Sequence, residues 1–152
     1  MEELRALSLA YAHAADRRDE AGFVAAFTPD GVVEVHRPER PGAPSATFRG
    51  HAELATIPRS LARWSSTAHL VGAATYERSD GGGDDGGDAD EATGEVACVA
   101  HHVRPTADGP TDDVLTIRYR DRYRRDDGRW RIARREVWVE SVRREPAAGG
   151  AT

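Results

Sequence analysis

The chain has 152 residues, of which 39% are hydrophobic and 31% charged, with a net charge of −5 and a pI near 5.7. That length suits one domain with one core and one enclosed pocket, and the charged fraction argues for a globular chain. An acidic balance argues against a nucleic-acid partner, and no apolar run approaches the roughly 20 residues of a membrane span. Lys, Asn and Gln are absent, so every cation is Arg or His, which excludes a Schiff-base or phosphate-loop lysine. The start MEELRALSLAYAHAADRRD lacks a signal-peptide pattern, and a cytoplasmic location is expected.

Residues 2–18 predict a helix, with Leu4, Leu7, Tyr11, Ala12 and Ala15 on one face. The row Leu4, Ser8, Ala12 continues to Asp16, which places a carboxylate on the inward stripe. Residues 20–28 predict a second helix capped by Asp19, with Phe23 and Phe27 facing inward. Thr28-Pro29-Asp30-Gly31 reads as a turn, followed by the strand GVVEVHR, a Pro-rich loop at 37–44 and the short strand ATFRG. Residues 51–64 are helical in pattern with an interruption expected near Pro58. Four long strands follow: AHLVGAATYER, GEVACVAHHVR, VLTIRYRDRYRR and RWRIARREVWVESVR. DDG at 126–128 signals a hairpin between the last two. The acidic segment 79–94 reads as a flexible loop and lacks the spacing of a calcium loop. A domain over 1–143 with a disordered tail at 144–152 is the expected organisation. Helices first and an antiparallel meander last define an α+β fold, in which a curved sheet wraps the helices into a cone open at one end.

His69 interrupts an apolar run, and alternation places it with Val71, Ala73 and Thr75, small residues that leave room for a ligand. A core histidine bonded to backbone is the plainer reading, as a surface carboxylate at a frayed helix end is for Asp16. His101 shares a face with Ala97 and Val99, which favours it over His102 for a pocket. Tyr11 serves either as core or as a donor to a substrate carbonyl. His13, His36 and His51 read as surface or structural positions, and Cys98 as a small buried hydrophobe. His69, His101 and Asp16 would make a two-histidine, one-carboxylate metal set, but the metal-binding spacings H-x-H and H-E-x-x-H are lacking, so no metal is expected.

The segments YAHAADRRDEAGFVAAFTPDGVVEV, FRGHAEL, STAHLVG and YRDRYRRDDGRWRIARREV, in this order over residues 5–140, resemble the SnoaL-like branch of the NTF2-like superfamily. The resemblance implies the cone fold and, within the dehydratase-like members, catalytic roles for Asp16, His69 and His101. It adds Tyr11, five residues before the aspartate, and an Arg in the last strand that matches Arg135 or Arg134. Scytalone dehydratase has Tyr directly before the aspartate, where this chain has Ala15, and a further carboxylate near His101 is not evident. The expected chemistry is a cofactor-independent dehydration or cyclisation of a polyketide-type intermediate, with an Asp16–His69 pair as base. Phe23, Phe27, Trp64 and Trp138 are expected to line a pocket for a flat, hydrophobic small molecule. An epoxide hydrolase or isomerase, or a non-catalytic assembly subunit, is the alternative on the same scaffold. The large groups on both faces of the last two strands suggest a homodimer formed through the outer face of the sheet.

Overall fold

The computed structural model describes residues 1–79 and 90–148. Helix α1 (Glu2–Arg17) buries Leu4, Ser8, Tyr11, Ala12, Ala14 and Ala15 along the stripe that its spacing predicts. It ends at Arg18, whose left-handed backbone (φ 58) lets its amide reach the carbonyls of the last turn. Asp19 then caps α2 (Glu20–Ala25) by accepting the Gly22 amide at 2.9 Å.

α2 ends three residues before the predicted boundary, and β1 (Phe27–His36) begins where a turn is expected. The cause is long-range: Phe27 pairs with Ile132, both wholly buried, and the Ile132 amide donates to Ala26 O at 2.9 Å. Thr28-Pro29-Asp30-Gly31 is therefore an irregularity within the strand, where register shifts between Phe27 and Val32. β2 (Ala46–Arg49) precedes α3 (Gly50–Leu54), α4 (Thr56–Ser60) and a 3-10 turn (Leu61–Arg63). The helical stretch breaks at Ala55 and not at Pro58, because Pro58 sits in the first turn of α4, where no amide is required.

The meander consists of β3 (Ser66–Arg78), β4 (Glu91–Arg104), β5 (Thr111–Asp126) and β6 (Arg129–Pro146). Residues 91–94, read from sequence as loop, thus belong to β4, and β6 runs three residues past 143 into the expected tail. The rest of the acidic segment, 80–89, and the terminal residues 149–152 lie outside the described residues. Asp127 (φ 49) and Gly128 (φ 74) make the two-residue hairpin turn that DDG signals.

The strand order is β2-β1-β6-β5-β4-β3, with β1 parallel to β6 and the other pairs antiparallel. The fold is the expected α+β arrangement of N-terminal helices against a curved, open, mixed sheet. Tyr11 meets Phe23 at 4.8 Å, Phe27 at 5.9 Å and Tyr119 at 5.8 Å between ring centroids, joining α1 and α2 to the sheet at the closed end. Phe23 and Phe27 are wholly buried in this core. No described helix is long and apolar enough to cross a membrane.

Candidate active site

A cavity of about 450 Å³ lies between the sheet and the segment formed by α4 and the 3-10 turn. The rows facing it are alternate residues of neighbouring strands: Val33 and Val35 of β1, Leu115, Ile117 and Tyr119 of β5, Val137 and Val139 of β6. Tyr11 and Trp64 complete walls that are mostly apolar. Two histidines break that surface, His69 and His102.

Asp16 and His69 form a pair. The His69 ring Nδ1 lies 2.6 Å from Asp16 Oδ1, and the His69 backbone N–H donates to Oδ2 at 2.9 Å. The Thr67 hydroxyl donates to Oδ1 at 3.0 Å. Burial works against the carboxylate, but the ring and backbone hydrogen bonds from His69 and that of Thr67 prevail and hold Asp16 below its usual value. An ionised carboxylate only accepts, so Nδ1 carries the proton in the neutral ring and Nε2 keeps its lone pair. The end of α1 is not frayed: the Arg18 guanidinium donates at 2.6 Å both to Asp16 O and to Thr67 Oγ1, tying helix to strand beneath the pair.

Strand parity changes two expected roles. The inward row of β3 is His69, Val71, Ala74 and Tyr76, because register shifts between Val71 and Ala74 and turns Ala73 and Thr75 to solvent. In β4 the inward row is Val96, Cys98, Ala100 and His102. His101 therefore points to the outer face, where its Nδ1 meets Asp112 Oδ2 at 2.7 Å, and His102 takes the cavity position. The two-histidine, one-carboxylate metal set is split across the sheet by the same parity, and the described residues contain no group of three or more side chains suited to a metal. The His102 ring lies 5.4 Å from His69 and 5.2 Å from Trp64 between centroids. Burial, reinforced by the neighbouring His69, pushes His102 down to about 4, so it is neutral near pH 7.

The predicted pocket aromatics divide. Trp64 lines the cavity, whereas Phe23 and Phe27 are packed into the core at the closed end. Trp138 lies on the outer face, stacked on His36 at 4.0 Å with the Arg120 guanidinium 5.2 Å from its ring. Val137 and Val139 flank it in sequence and hold the inward positions.

Between Arg134 and Arg135 it is Arg135 that points inward, but below the cavity floor. Its side chain is completely buried and donates to both oxygens of Asp121, at 2.8 and 2.7 Å, and to Ser8 Oγ at 3.4 Å. The guanidinium is sandwiched between Tyr11 and Tyr119, 4.1 and 4.2 Å from the ring centroids. This explains the one polar member of the α1 stripe, since Ser8 helps to satisfy a buried cation. Burial pushes the Tyr11 hydroxyl above its ordinary value, with Arg135 opposing, so Tyr11 remains a protonated donor at the floor. Arg134 faces outward and pairs with Glu34 at 2.6 Å. A more open depression of about 360 Å³ on another part of the sheet is lined by Arg120, Arg122 and Arg134 among Glu77, Glu95 and Glu136, charges that largely neutralise one another.

The sequence placed His102 on the outer face, a reading the structure reverses, and did not single out Thr67 or Arg18. Strand pairing is what reveals His102: Ala100 stands opposite His69, so His102, two residues on, shares the inward face.

N-terminal helices against a curved, open, mixed sheet define a class, that of NTF2-like proteins with a cystatin-like fold. The chain belongs within it to the SnoaL-like domain family, whose model matches residues 1–136. A protein of unknown function from Mycobacterium tuberculosis is similar at 28% identity, over 96% of this chain and 72% of that one, with a TM-score of 0.68. A candidate scytalone dehydratase from Novosphingobium aromaticivorans aligns at 20% identity over 100% of this chain and 95% of that one, with a TM-score of 0.75. A hexachlorocyclohexane dehydrochlorinase from Novosphingobium barchaimii aligns at 15% identity over 99% and 93%, with a TM-score of 0.77. No curated protein matches the chain significantly.

Proposed function

We propose that the chain is a cofactor-independent lyase, a dehydratase or cyclase acting on a polyketide-type, largely apolar intermediate. The observation that carries this reading is the Asp16–His69 contact at 2.6 Å, which leaves Nε2 of a neutral imidazole as a base on the cavity wall. His69 Nε2 takes a proton from the carbon α to a carbonyl, and Asp16 stabilises the imidazolium that forms. Tyr11, protonated at the floor, donates to the developing enolate oxygen. The enolate then expels a β-hydroxyl, which leaves as water after receiving the proton from the imidazolium, with neutral His102 as a hydrogen-bond donor beside it. In a cyclisation the same enolate carbon attacks a second carbonyl of the substrate. The names of two structural neighbours, a dehydrochlorinase and a candidate dehydratase, both denote eliminations, which agrees with this choice. An epoxide hydrolase working through an Asp–Arg–Asp set is less well supported, because the Arg135–Asp121 pair is enclosed below the floor.

Proton abstraction is testable before the substrate is known. Incubation with 1-tetralone in deuterated water should exchange the α-hydrogens, read by mass, with the wild type and not with His69→Ala. Equal exchange by both folded proteins rules out His69 as the base. A homodimer through the outer face is part of the same proposal, supported by exposed Leu70 and Val99, which stand opposite each other in the ladder. Sedimentation should then give a species of twice 16.5 kDa, and a monomer at micromolar concentration rules the dimer out.

A further inference from the structure

The inward row of β1, Val33 and Val35, ends at the cavity in Arg37, and Arg63 reaches the same cavity from the 3-10 turn. Both side chains are exposed, so they stand where the cavity opens to solvent. Several arginines of the sheet are matched to carboxylates, as in Arg118–Glu140, Arg134–Glu34 and Arg144–Asp113, while Arg49, Arg122 and Arg129 are not matched among the described residues but lie away from the cavity. Arg37 and Arg63 have no carboxylate or other polar partner among the described residues. In a chain of net charge −5, two unmatched guanidiniums at one apolar cavity are conspicuous. Arg37 is also close enough for its charge to act on His102. Ser45 and Ser60 lie on the same lining, but their hydroxyls donate to Val35 O at 2.9 Å and Ile57 O at 2.7 Å, so the two guanidiniums are the donors free for an anion.

We propose that Arg37 and Arg63 form an anion-binding rim, and that the molecule processed in the cavity has an apolar body ending in a carboxylate or phosphate held there. This rests on the reading of the cavity as the reaction site. Guanidinium forks bind planar carboxylate and phosphate oxygens through paired N–H donors. The apolar walls take the body of the molecule, the rim holds its charged end, and His69 faces the reacting carbon inside. The rim therefore acts in binding and orientation and takes no part in proton transfer.

The test uses binding and does not depend on turnover. Affinities for 2-naphthoate, 2-naphthyl phosphate and neutral 2-naphthamide are measured by calorimetry at low ionic strength, for the wild type and for Arg37→Ala/Arg63→Ala. Both side chains are exposed, so the double variant should fold, which its melting temperature checks. One or both anions should bind roughly fivefold or more tightly than the amide, a preference that shrinks in salt and disappears in the double variant while amide binding is unchanged. Which of the two anions gains more distinguishes a carboxylate from a phosphate. Equal affinity for all three probes, no binding of either anion at millimolar concentration, or a preference that survives the double substitution overturns the rim. His69→Ala should keep the preference, so a failure of the base assignment and a failure of the rim are read separately.

Discussion

The sheet carries two histidine–aspartate pairs of almost the same geometry, one on each face. His69 Nδ1 lies 2.6 Å from Asp16 and His101 Nδ1 lies 2.7 Å from Asp112. In the first, the histidine side chain is 9% exposed and faces a cavity; in the second it is 40% exposed and faces solvent. The carboxylate of the first is further held by a backbone N–H and a threonine hydroxyl, and an arginine braces that threonine. A pairing distance therefore does not make a base. What distinguishes the two is where the second ring nitrogen points and how firmly the carboxylate is fixed.

The largest expected difference is in turnover. His69→Ala or Asp16→Ala should each lower it by roughly 10²–10⁴-fold while the protein stays folded, and the double variant should be little worse than the worse single. His101→Ala and Asp112→Ala should leave turnover per folded molecule unchanged. A loss at His101 matching that at His69 would remove the distinction between the pairs. A third pair, Arg135–Asp121, sharpens the contrast because it is wholly enclosed. Arg135→Met should cost about 3–5 kcal/mol, since Asp121 is left as a buried charge without its partner. Chemical denaturation measures this, and a cost under about 1 kcal/mol would mean that water reaches the network.

His102→Phe tests the neutral ring in the cavity and should lower turnover by about 10², the low end for a proton-donating group. It should also change acid stability. The folded value of His102, about 4, lies below its ordinary 6.5, so the unfolded chain takes up the proton first as pH falls. The contribution is complete above about 6.5 and is lost as pH falls toward 4, a slope that should disappear in His102→Phe. Asp16, also held low, contributes stability that persists above its ordinary 3.8 and is lost only as pH falls below that value. The smallest expected effect belongs to the outer pair: Asp112→Ala should change stability by about 1 kcal/mol or less, as for ion pairs near the surface.

Local pattern in the sequence was sufficient for the helix stripe ending in Asp16, the Asp19 cap, the Asp127–Gly128 hairpin and the helix-then-meander order, whereas the choice between Arg134 and Arg135 came from the structure. Each of the former depends on a short-range regularity: helical spacing, turn chemistry or alternation within an uninterrupted strand. Which histidine of β4 enters the cavity was not legible, because Ala97 and Val99 beside His101 are as apolar as Cys98 and Ala100 beside His102, and the outer face nevertheless remains uncovered at Val99. The inward row beyond Val71 was hidden by a register shift that only strand pairing produces, and Trp138 was misplaced because a large aromatic stacks as readily on His36 outside as it would fill a pocket. The early end of α2 came from Phe27 pairing with Ile132, more than 100 positions away. The sequence by itself determined the order of the elements, and its family resemblance pointed to the Asp16–His69 pair. Tertiary structure alone decided the faces, because a single extra residue in a strand reverses every side chain after it, and only the neighbouring strand shows where that residue falls.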